Sequence, residues 1–423
     1  MYPREQYLKE IISKKDNGRI KIITGLRRSG KSVLLFQLYR EWLLGEGVKE
    51  DQIIALALDI FENARYRNPL ELDKYVRDHM VDPKKRYYIF IDEIQFVSEI
   101  QNPYVDNEDA KITFIDVILG FMHMDNADVY VTGSNSKMLS SDILTQFRDR
   151  GDEIRVYPLS FAEFYNEYEG DKRGAWQDYY TYGGMPLATS LESHEEKSRY
   201  LRDLFDRTYI KDVLERHEIK NDTEVLDILL DVLASGIGSL TNPSKLANTF
   251  KSETIEKYIG YFEESFLIEK AGRYDVKGRK YIGTPAKYYY TDLGLRNARL
   301  GFRQLEETHI MENVLYNDLI RRGMNVDVGV VEYNTKDADG KKIRKQLEVD
   351  FVVNQGGKRF YIQSALSIAD PDKKEQEIES LKRIPDSFSK MVVVRDYLKP
   401  WQDENGITYL GIEQFLLNEE LLK

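Results

Sequence analysis

An α/β fold built on a parallel sheet is predicted for the first part of this chain by three observations. Short apolar runs alternate with stretches of helical periodicity through the first 160 residues, the pattern of strands joined by helical crossovers. A glycine-rich turn stands between the first run and the first helix. A later apolar run ends on two adjacent carboxylates, Asp92 and Glu93.

The elements follow in order. Residues 20–24 are a short β-rich run, and 32–44 have helical spacing. Residues 53–58 are apolar, 70–80 helical, and 87–91 read as a buried strand. Residues 112–122 are helical and 129–132 form another strand. Such alternation places helices on both faces of a parallel sheet. After Pro158 the pattern changes. Residues 161–235 are almost all helical, broken at Tyr182-Gly-Gly-Met-Pro186. Residues 240–290 read as short helices and then a hairpin, with strands at 267–274 and from 281 onward. From about residue 305 a second, smaller α/β pattern begins. It has a helix at 310–322, strands near 326–333, 346–353 and 359–363, a charged helix at 371–383 and a strand at 390–394.

At 423 residues the chain exceeds one ordinary core, so two to four domains are expected. The absence of cysteine excludes disulfides, zinc ribbons and thiol catalysis. The five histidines are scattered without metal-ligand spacing. No apolar run approaches the roughly 20 residues that a membrane span needs, and Met1-Tyr-Pro-Arg-Glu-Gln-Tyr opens a charged stretch unlike a signal peptide. A cytoplasmic location without a membrane partner is expected. The net charge of -11 argues against a protein coated in nucleic acid. It leaves room for a local basic surface, because phosphates are met by patches and not by averages.

Gly25-Leu-Arg-Arg-Ser-Gly30-Lys31-Ser32 matches G-x4-G-K-[ST] in full, between a predicted strand and a predicted helix. Its glycines let successive N–H groups face a β-phosphate, Lys31 supplies a point charge, and the Ser32 hydroxyl is a Mg²⁺ ligand at a helix N-terminus. The expected nucleotide contacts are Gly25, Arg28, Ser29, Gly30, Lys31, Ser32 and Val33. The cofactors are ATP and Mg²⁺. Asp92 is placed on the metal with Ser32, and Glu93 polarises the attacking water. A further strand ends in Val131-Thr-Gly-Ser134-Asn135, whose polar tip can hold the lytic water or the γ-phosphate. Asn135 is the chosen sensor, with Ser134 next; Asn135 can also cap the helix that follows. In Phe147-Arg148-Asp149-Arg150-Gly151 an arginine can reach a neighbouring subunit's γ-phosphate in a ring, or lie on the surface.

These stretches, taken together, resemble a widespread bacterial and archaeal group of AAA+ ATPases with a helical lid, a winged helix and a C-terminal restriction-endonuclease-like domain. The resemblance rests on residues 20–32, Thr132-Gly-Ser-Asn-Ser136, Val156-Tyr-Pro-Leu-Ser-Phe161 and Tyr182-Gly-Gly-Met-Pro186. It continues through Tyr209-Ile-Lys-Asp212, Tyr289-Tyr-Thr-Asp-Leu-Gly294 and Glu348-Val-Asp-Phe351. It implies an ATPase domain over 1–160, a lid over 161–220, a winged helix over 221–304 and a nuclease-like domain over 305–423. It makes Arg150 the arginine finger, although Asp149 stands where the family has glycine, and Arg148 remains the alternative. It also implies a homo-oligomer, a ring often of six subunits.

Residues 244–247 and 253–262 look like a helix-turn-helix, and the hairpin after them like a wing whose tip carries Lys277, Arg279 and Lys280. Those cations can lie along a phosphate backbone. Glu253, Glu256, Glu263 and Glu264 surround Lys257 on the second helix and repel phosphates, so DNA binding directed by structure is favoured over sequence reading. Protein packing is the other use of such a module. In the last domain Glu312, Asp350 and Gln363 fall in the order of the metal-binding set of restriction-endonuclease-like folds. Gln363-Ser364-Ala365 stands where an acid, any residue and a lysine belong. A degenerate site without nuclease activity is expected; cleavage that vanishes in Asp350→Ala would overturn this and call on a neighbouring lysine, such as Lys358, for the missing one. Two functions stay open: an ATP-driven protein that remodels or moves DNA, perhaps branched DNA, and a nucleotide-dependent protein-binding switch or scaffold.

Overall fold

The computed structural model describes residues 2–107, 109–134, 150–217, 219, 223–242, 250–336 and 340–422. They form two compact units: Met1–Pro158 with Glu264–Phe266, and Leu159–Glu263 with Leu267–Lys423.

The first unit is a five-stranded parallel sheet. Its strands are β1 (Ile20–Thr24), β2 (Ile53–Ala57), β3 (Tyr87–Asp92), β6 (Ala127–Thr132) and β7 (Gly151–Arg155), in the order β2-β3-β6-β1-β7. A short antiparallel pair, β4 (Ile100–Gln101) and β5 (Lys111–Ile112), lies between β3 and β6 in the chain. Side chains alternate across a strand, so the apolar runs feed two cores. Ile20, Ile22, Ile89, Ile91, Val129 and Val131 pack on one face with Leu72, Val76, Ile118 and Phe121, from the helices Pro69–His79 and Phe114–Met122. Ile23, Tyr88, Phe90 and Tyr130 pack on the other with Tyr7, Ile11, Leu34, Leu35 and Tyr39. Helices therefore cover both faces, as the alternation of runs predicts. The fifth strand, β7, is not visible in the sequence: Gly-Asp-Glu-Ile-Arg has no apolar run, and its pairing with β1 makes it a strand.

The second unit opens with helices, among them Phe161–Asn166, Ala175–Tyr182, His194–Leu204 and Thr223–Ser235. Two motif stretches that are far apart in sequence meet among them. The buried Asp292 accepts hydrogen bonds from Gly184 N at 2.7 Å and Leu295 N at 3.0 Å, and Leu159 N donates to Gly184 O at 2.7 Å. A Cβ on Gly184 would lie 2.1 Å from the Leu159 carbonyl oxygen, and one on Gly294 would lie 2.0 Å from that of Tyr182. Only glycine permits these approaches. The Gly-Gly and Asp-Leu-Gly stretches are thus one knot joining helix Ala175–Tyr182 to helix Leu293–Arg299.

An eight-stranded mixed sheet follows. Its strands are β8 (Ile268–Asp275), β9 (Lys280–Tyr290), β10 (Asn325–Lys336), β11 (Lys342–Gln355), β12 (Lys358–Ala365), β13 (Ser389–Val394), β14 (Trp401–Gln402) and β15 (Ile407–Gly411). They are ordered β14-β15-β13-β12-β11-β10-β8-β9. The expected wing hairpin, β8–β9, belongs to this sheet through parallel pairing of β8 with β10. The expected border at 304/305 therefore falls between strands of one sheet. Helix Glu307–Arg321 packs on the sheet, and Ile378 and Leu381 of helix Pro371–Lys382 join a core with Val349, Tyr361 and Val392. Residues 244–247 lie outside the described residues, while the second predicted helix is present as Ser252–Glu264. Among the described residues no helix is long and apolar enough to cross a membrane.

Candidate functional site

The glycine-rich turn leaves the carboxyl end of β1, as a parallel sheet requires of a ligand-binding loop. Gly25 has φ 131°, and a Cβ there would meet the Val156 carbonyl oxygen at 2.1 Å. Gly30 has φ 102° and Arg28 φ 64°, so the backbone curls before the helix that begins at Lys31. That helix is α over Lys31–Val33, π over Leu34–Tyr39 and α again over Arg40–Gly45. Lys31 is buried and its Nζ donates to the carbonyls of Gly25 at 3.0 Å and Leu26 at 3.1 Å. Burial pulls its pKa down, opposed by the charges of Glu93 and Asp92. The Ser29 hydroxyl is buried in the loop and, among the described residues, has no hydrogen-bond partner. Ser32 and Arg28 are exposed, and Val33 is half-buried.

β3 and β6 pair with Ile91 opposite Val131, which sets Asp92 beside Thr132. The Thr132 hydroxyl donates to Asp92 Oδ1 and accepts from Glu93 N at 3.0 Å. One side chain thus holds the Asp92 carboxylate and the Glu93 backbone. Burial raises the pKa of Asp92, and hydrogen bonds from Thr132 and Ser32 oppose the rise. Glu93 sits at φ 53°, a left-handed conformation that costs an L-residue about 1 kcal/mol or more and recurs at functional sites. Gln95 Nε2 donates to Glu93 Oε2, and Ser134 Oγ lies 3.5 Å from the same oxygen. Thr132 and Gln95 were not among the expected site residues. Their signal was a hydroxyl at the end of the strand adjacent to β3 and an amide two residues beyond Glu93.

The loop, Lys31, Ser32, Asp92 and Glu93 therefore converge at one end of the sheet. The partnerless Ser29 hydroxyl, the positive-φ turn and the buried ammonium fit a polyphosphate, and Ser32 beside Asp92 fits a hard divalent cation. Asn135 and Arg148 lie outside the described residues. Arg150 is exposed at the other end of the sheet, where its carbonyl accepts from Ile20 N at 2.9 Å. The length of β1, about 15 Å at ~3.3 Å per residue, separates that end from the loop of its own subunit.

The expected remnant in the second unit is also drawn together, with an addition. Glu312 on helix Glu307–Arg321 and Glu348 and Asp350 on β11 surround Lys287 of β9. Its Nζ is 2.7 Å from Glu312, 2.6 Å from Glu348 and 4.0 Å from Asp350. Tyr289 OH donates to Glu312 at 2.5 Å. Burial alone would lower the Lys287 pKa, but Glu312, Asp350 and Glu348 raise it. Asp350 is raised, by burial and by the charge of Glu312. Gln363 Oε1 accepts from Asp350 N at 3.3 Å, while its Nε2 donates to Glu377 at 3.3 Å. Lys358 is the example of a neighbouring lysine that cleavage, if found, would call on for the missing one. It is exposed and paired opposite Gln355, at the other end of β12 from Ala365, so the cation among the acids is Lys287. Among the described residues no group of three or more acids and histidines is arranged to hold a metal ion. The wing cations Lys277, Arg279 and Lys280 are exposed at the β8–β9 turn.

Residues 17–165 match the family described as an AAA domain, and residues 173–306 match a domain of unknown function. The chain is 32% identical over 429 residues to an uncharacterized protein of Haemophilus influenzae, covering 99% of each. It is 27% identical over 390 residues to an uncharacterized protein of Methanocaldococcus jannaschii, covering 86% of this chain and 78% of that one. Among solved structures it is similar to a Walker-type ATPase of Pyrococcus abyssi, with TM-score 0.46 and 12% identity over 71% of this chain and 96% of that one. It is also similar to the Orc1 protein of Aeropyrum pernix in complex with DNA, with TM-score 0.31 and 11% identity over 70% of this chain and 92% of that one.

Proposed function

We propose, because residues 17–165 form an AAA domain in a chain that belongs to one family with its uncharacterized Haemophilus influenzae relative, that it binds ATP and hydrolyses it to ADP and phosphate. The observation that carries this is the Thr132 hydroxyl holding the Asp92 carboxylate and the Glu93 backbone at the end of the sheet from which the 25–32 loop also leaves. The loop N–H groups and Lys31 receive the phosphates. Ser32 and Asp92 would hold Mg²⁺, which neutralises phosphate charge when bound. Glu93 orients the attacking water and takes up its proton. Gln95 and Ser134 face the same carboxylate, and the attacking water competes with them for it. Asn135 serves as the polar sensor beyond Ser134. Arg150, a strand's length from its own loop, acts on a neighbour's nucleotide in a homo-oligomeric ring.

We further propose that hydrolysis drives movement or remodelling of DNA, directed by DNA structure. The exposed cations of the β8–β9 turn support this reading. The test is the ATPase rate of the purified protein alone and with single-stranded, duplex and four-way-junction DNA. Stimulation of several-fold is expected, largest for the preferred structure. A slow rate that no DNA changes, with ADP retained tightly, would instead support the protein-binding switch.

A further inference from the structure

Two hairpins of the eight-stranded sheet turn at the same end of it. β8 and β10 run parallel with Asp275 opposite Val330, so the β8–β9 and β10–β11 turns leave the sheet in one direction. β10 continues past Val330 to Lys336, which pairs with Lys342 of β11. At ~3.3 Å per residue this makes an arm extending about 20 Å beyond the shorter hairpin. The two are tied at the base: Lys277 Nζ donates to the Glu332 carbonyl at 3.0 Å, and Val276 N to that of Val330 at 3.0 Å.

The arm departs from the acidic balance of the chain. Between Tyr333 and Leu347 five cations, Lys336, Lys341, Lys342, Arg344 and Lys345, stand against Asp337 and Asp339, in a protein of net charge -11. Lys336, Lys342, Arg344 and Lys345 are exposed. The nearby Glu332 carboxylate is already engaged by Arg344 and by Gln346. Lys336 and Lys342 are directly opposite one another, an arrangement that destabilises a strand pair and that folding does not require. A polyanion lying against the pair would relieve it.

We propose that this end of the sheet, Lys336 of β10 and residues 342–345 of β11 together with the turn at 277–280, is a two-pronged clamp on the phosphate backbone of duplex DNA. The proposal rests on the DNA reading of the preceding subsection. Four of the five arm cations are lysines, which meet phosphates as point charges. Residues 334–346 contain no aromatic side chain on which unpaired bases could stack, and Tyr281 beside the shorter prong, though exposed, is turned edge-on to Tyr274 with its hydroxyl on Asp327. Both features favour the backbone of a duplex over a single strand.

The test measures duplex affinity of the full chain across a range of salt concentrations. The proteins are wild type, the triple variant Lys336→Glu, Lys342→Glu, Lys345→Glu, and a milder one with glutamine at the same positions. Because each lost phosphate contact takes ~0.9 from the slope of log affinity against log salt, the glutamate variant is expected to lower the slope by about 2 to 3. Its affinity at 0.1 M salt should fall at least about tenfold, with the glutamine variant intermediate. If wild type binds with a salt dependence and both variants match it, the arm is excluded while the DNA reading stands. If wild type binds no duplex, or binds it without salt dependence, the clamp is overturned, and the DNA reading is then decided by the ATPase rates with single-stranded and four-way-junction DNA. Competition by polyglutamate equal to that by DNA at matched charge would show a general polyanion patch and overturn the proposal.

Discussion

Lys287 enters its cluster of acids from β9, a strand that carries no nuclease-like motif. With Glu312 and Lys287 almost wholly buried, the pair resists replacement of one partner far more than of both, since removing one leaves an uncompensated charge inside the protein. Lys287→Met is predicted to destabilise the second unit by about 3 kcal/mol or more. Adding Glu312→Gln should return part of that loss. Urea unfolding of the single and double variants checks this; equal stability of wild type and Lys287→Met would show that the ammonium does not neutralise the acids. The same residue shows a limit of spacing: positions near the motif in the chain, such as Lys358, are what the sequence offers, whereas Lys287 is brought in by the pairing of β9 at the far edge of the sheet.

At the scale of elements, the knot around Asp292 joins two helices through a buried carboxylate. Burial lifts its pKa to about 6, against the hydrogen bonds from Gly184, Leu295 and Gly294. Unfolded, the group titrates near 3.8. Between about pH 4 and 6 the folded state therefore holds this proton more tightly than the unfolded state does. The group's contribution to stability falls as pH rises through that window and is level above it, a total of about 3 kcal/mol. Asp292→Asn should lose stability at all pH, because its amide NH₂ faces an N–H donor, and should also lose that slope. Unfolding midpoints from pH 4 to 8 test it: the difference between variant and wild type is predicted to change across 4–6, and a constant difference would contradict the assignment.

The elements also divide into those the sequence announces and those it does not. β1, β3 and the loop after β1 are legible because apolar runs and a fixed G-x4-G-K-S spacing are local properties. β7 is not, since its strand character comes from pairing with β1 and tertiary context overrides propensity. The roles of Thr132 and Gln95 depend on strand register and a left-handed turn at Glu93, and neither is written in spacing. Membership of β8 and β9 in the C-terminal sheet depends on pairing with β10, more than 50 residues away, a distance given by the register of Arg273 with Val328.

For the whole molecule, the position of Arg150 beyond the far end of β1 from the loop gives the account its quaternary prediction. Arg150→Ala should bind nucleotide and fail to hydrolyse it, and mixing it with Glu93→Gln subunits should restore part of the activity. Wherever the intact Glu93 of one subunit meets the intact Arg150 of the next, a complete site forms. No recovery in a mixture shown to co-assemble would remove Arg150 from a neighbour's site. Beneath this lies the claim that the acids tied by Thr132 hydrolyse ATP. The most direct measurement is turnover by Glu93→Gln beside wild type, with both proteins shown to bind ATP equally. The account predicts unchanged binding and a loss of about 100-fold or more in rate, the scale of a general base. Turnover at the wild-type rate would contradict it.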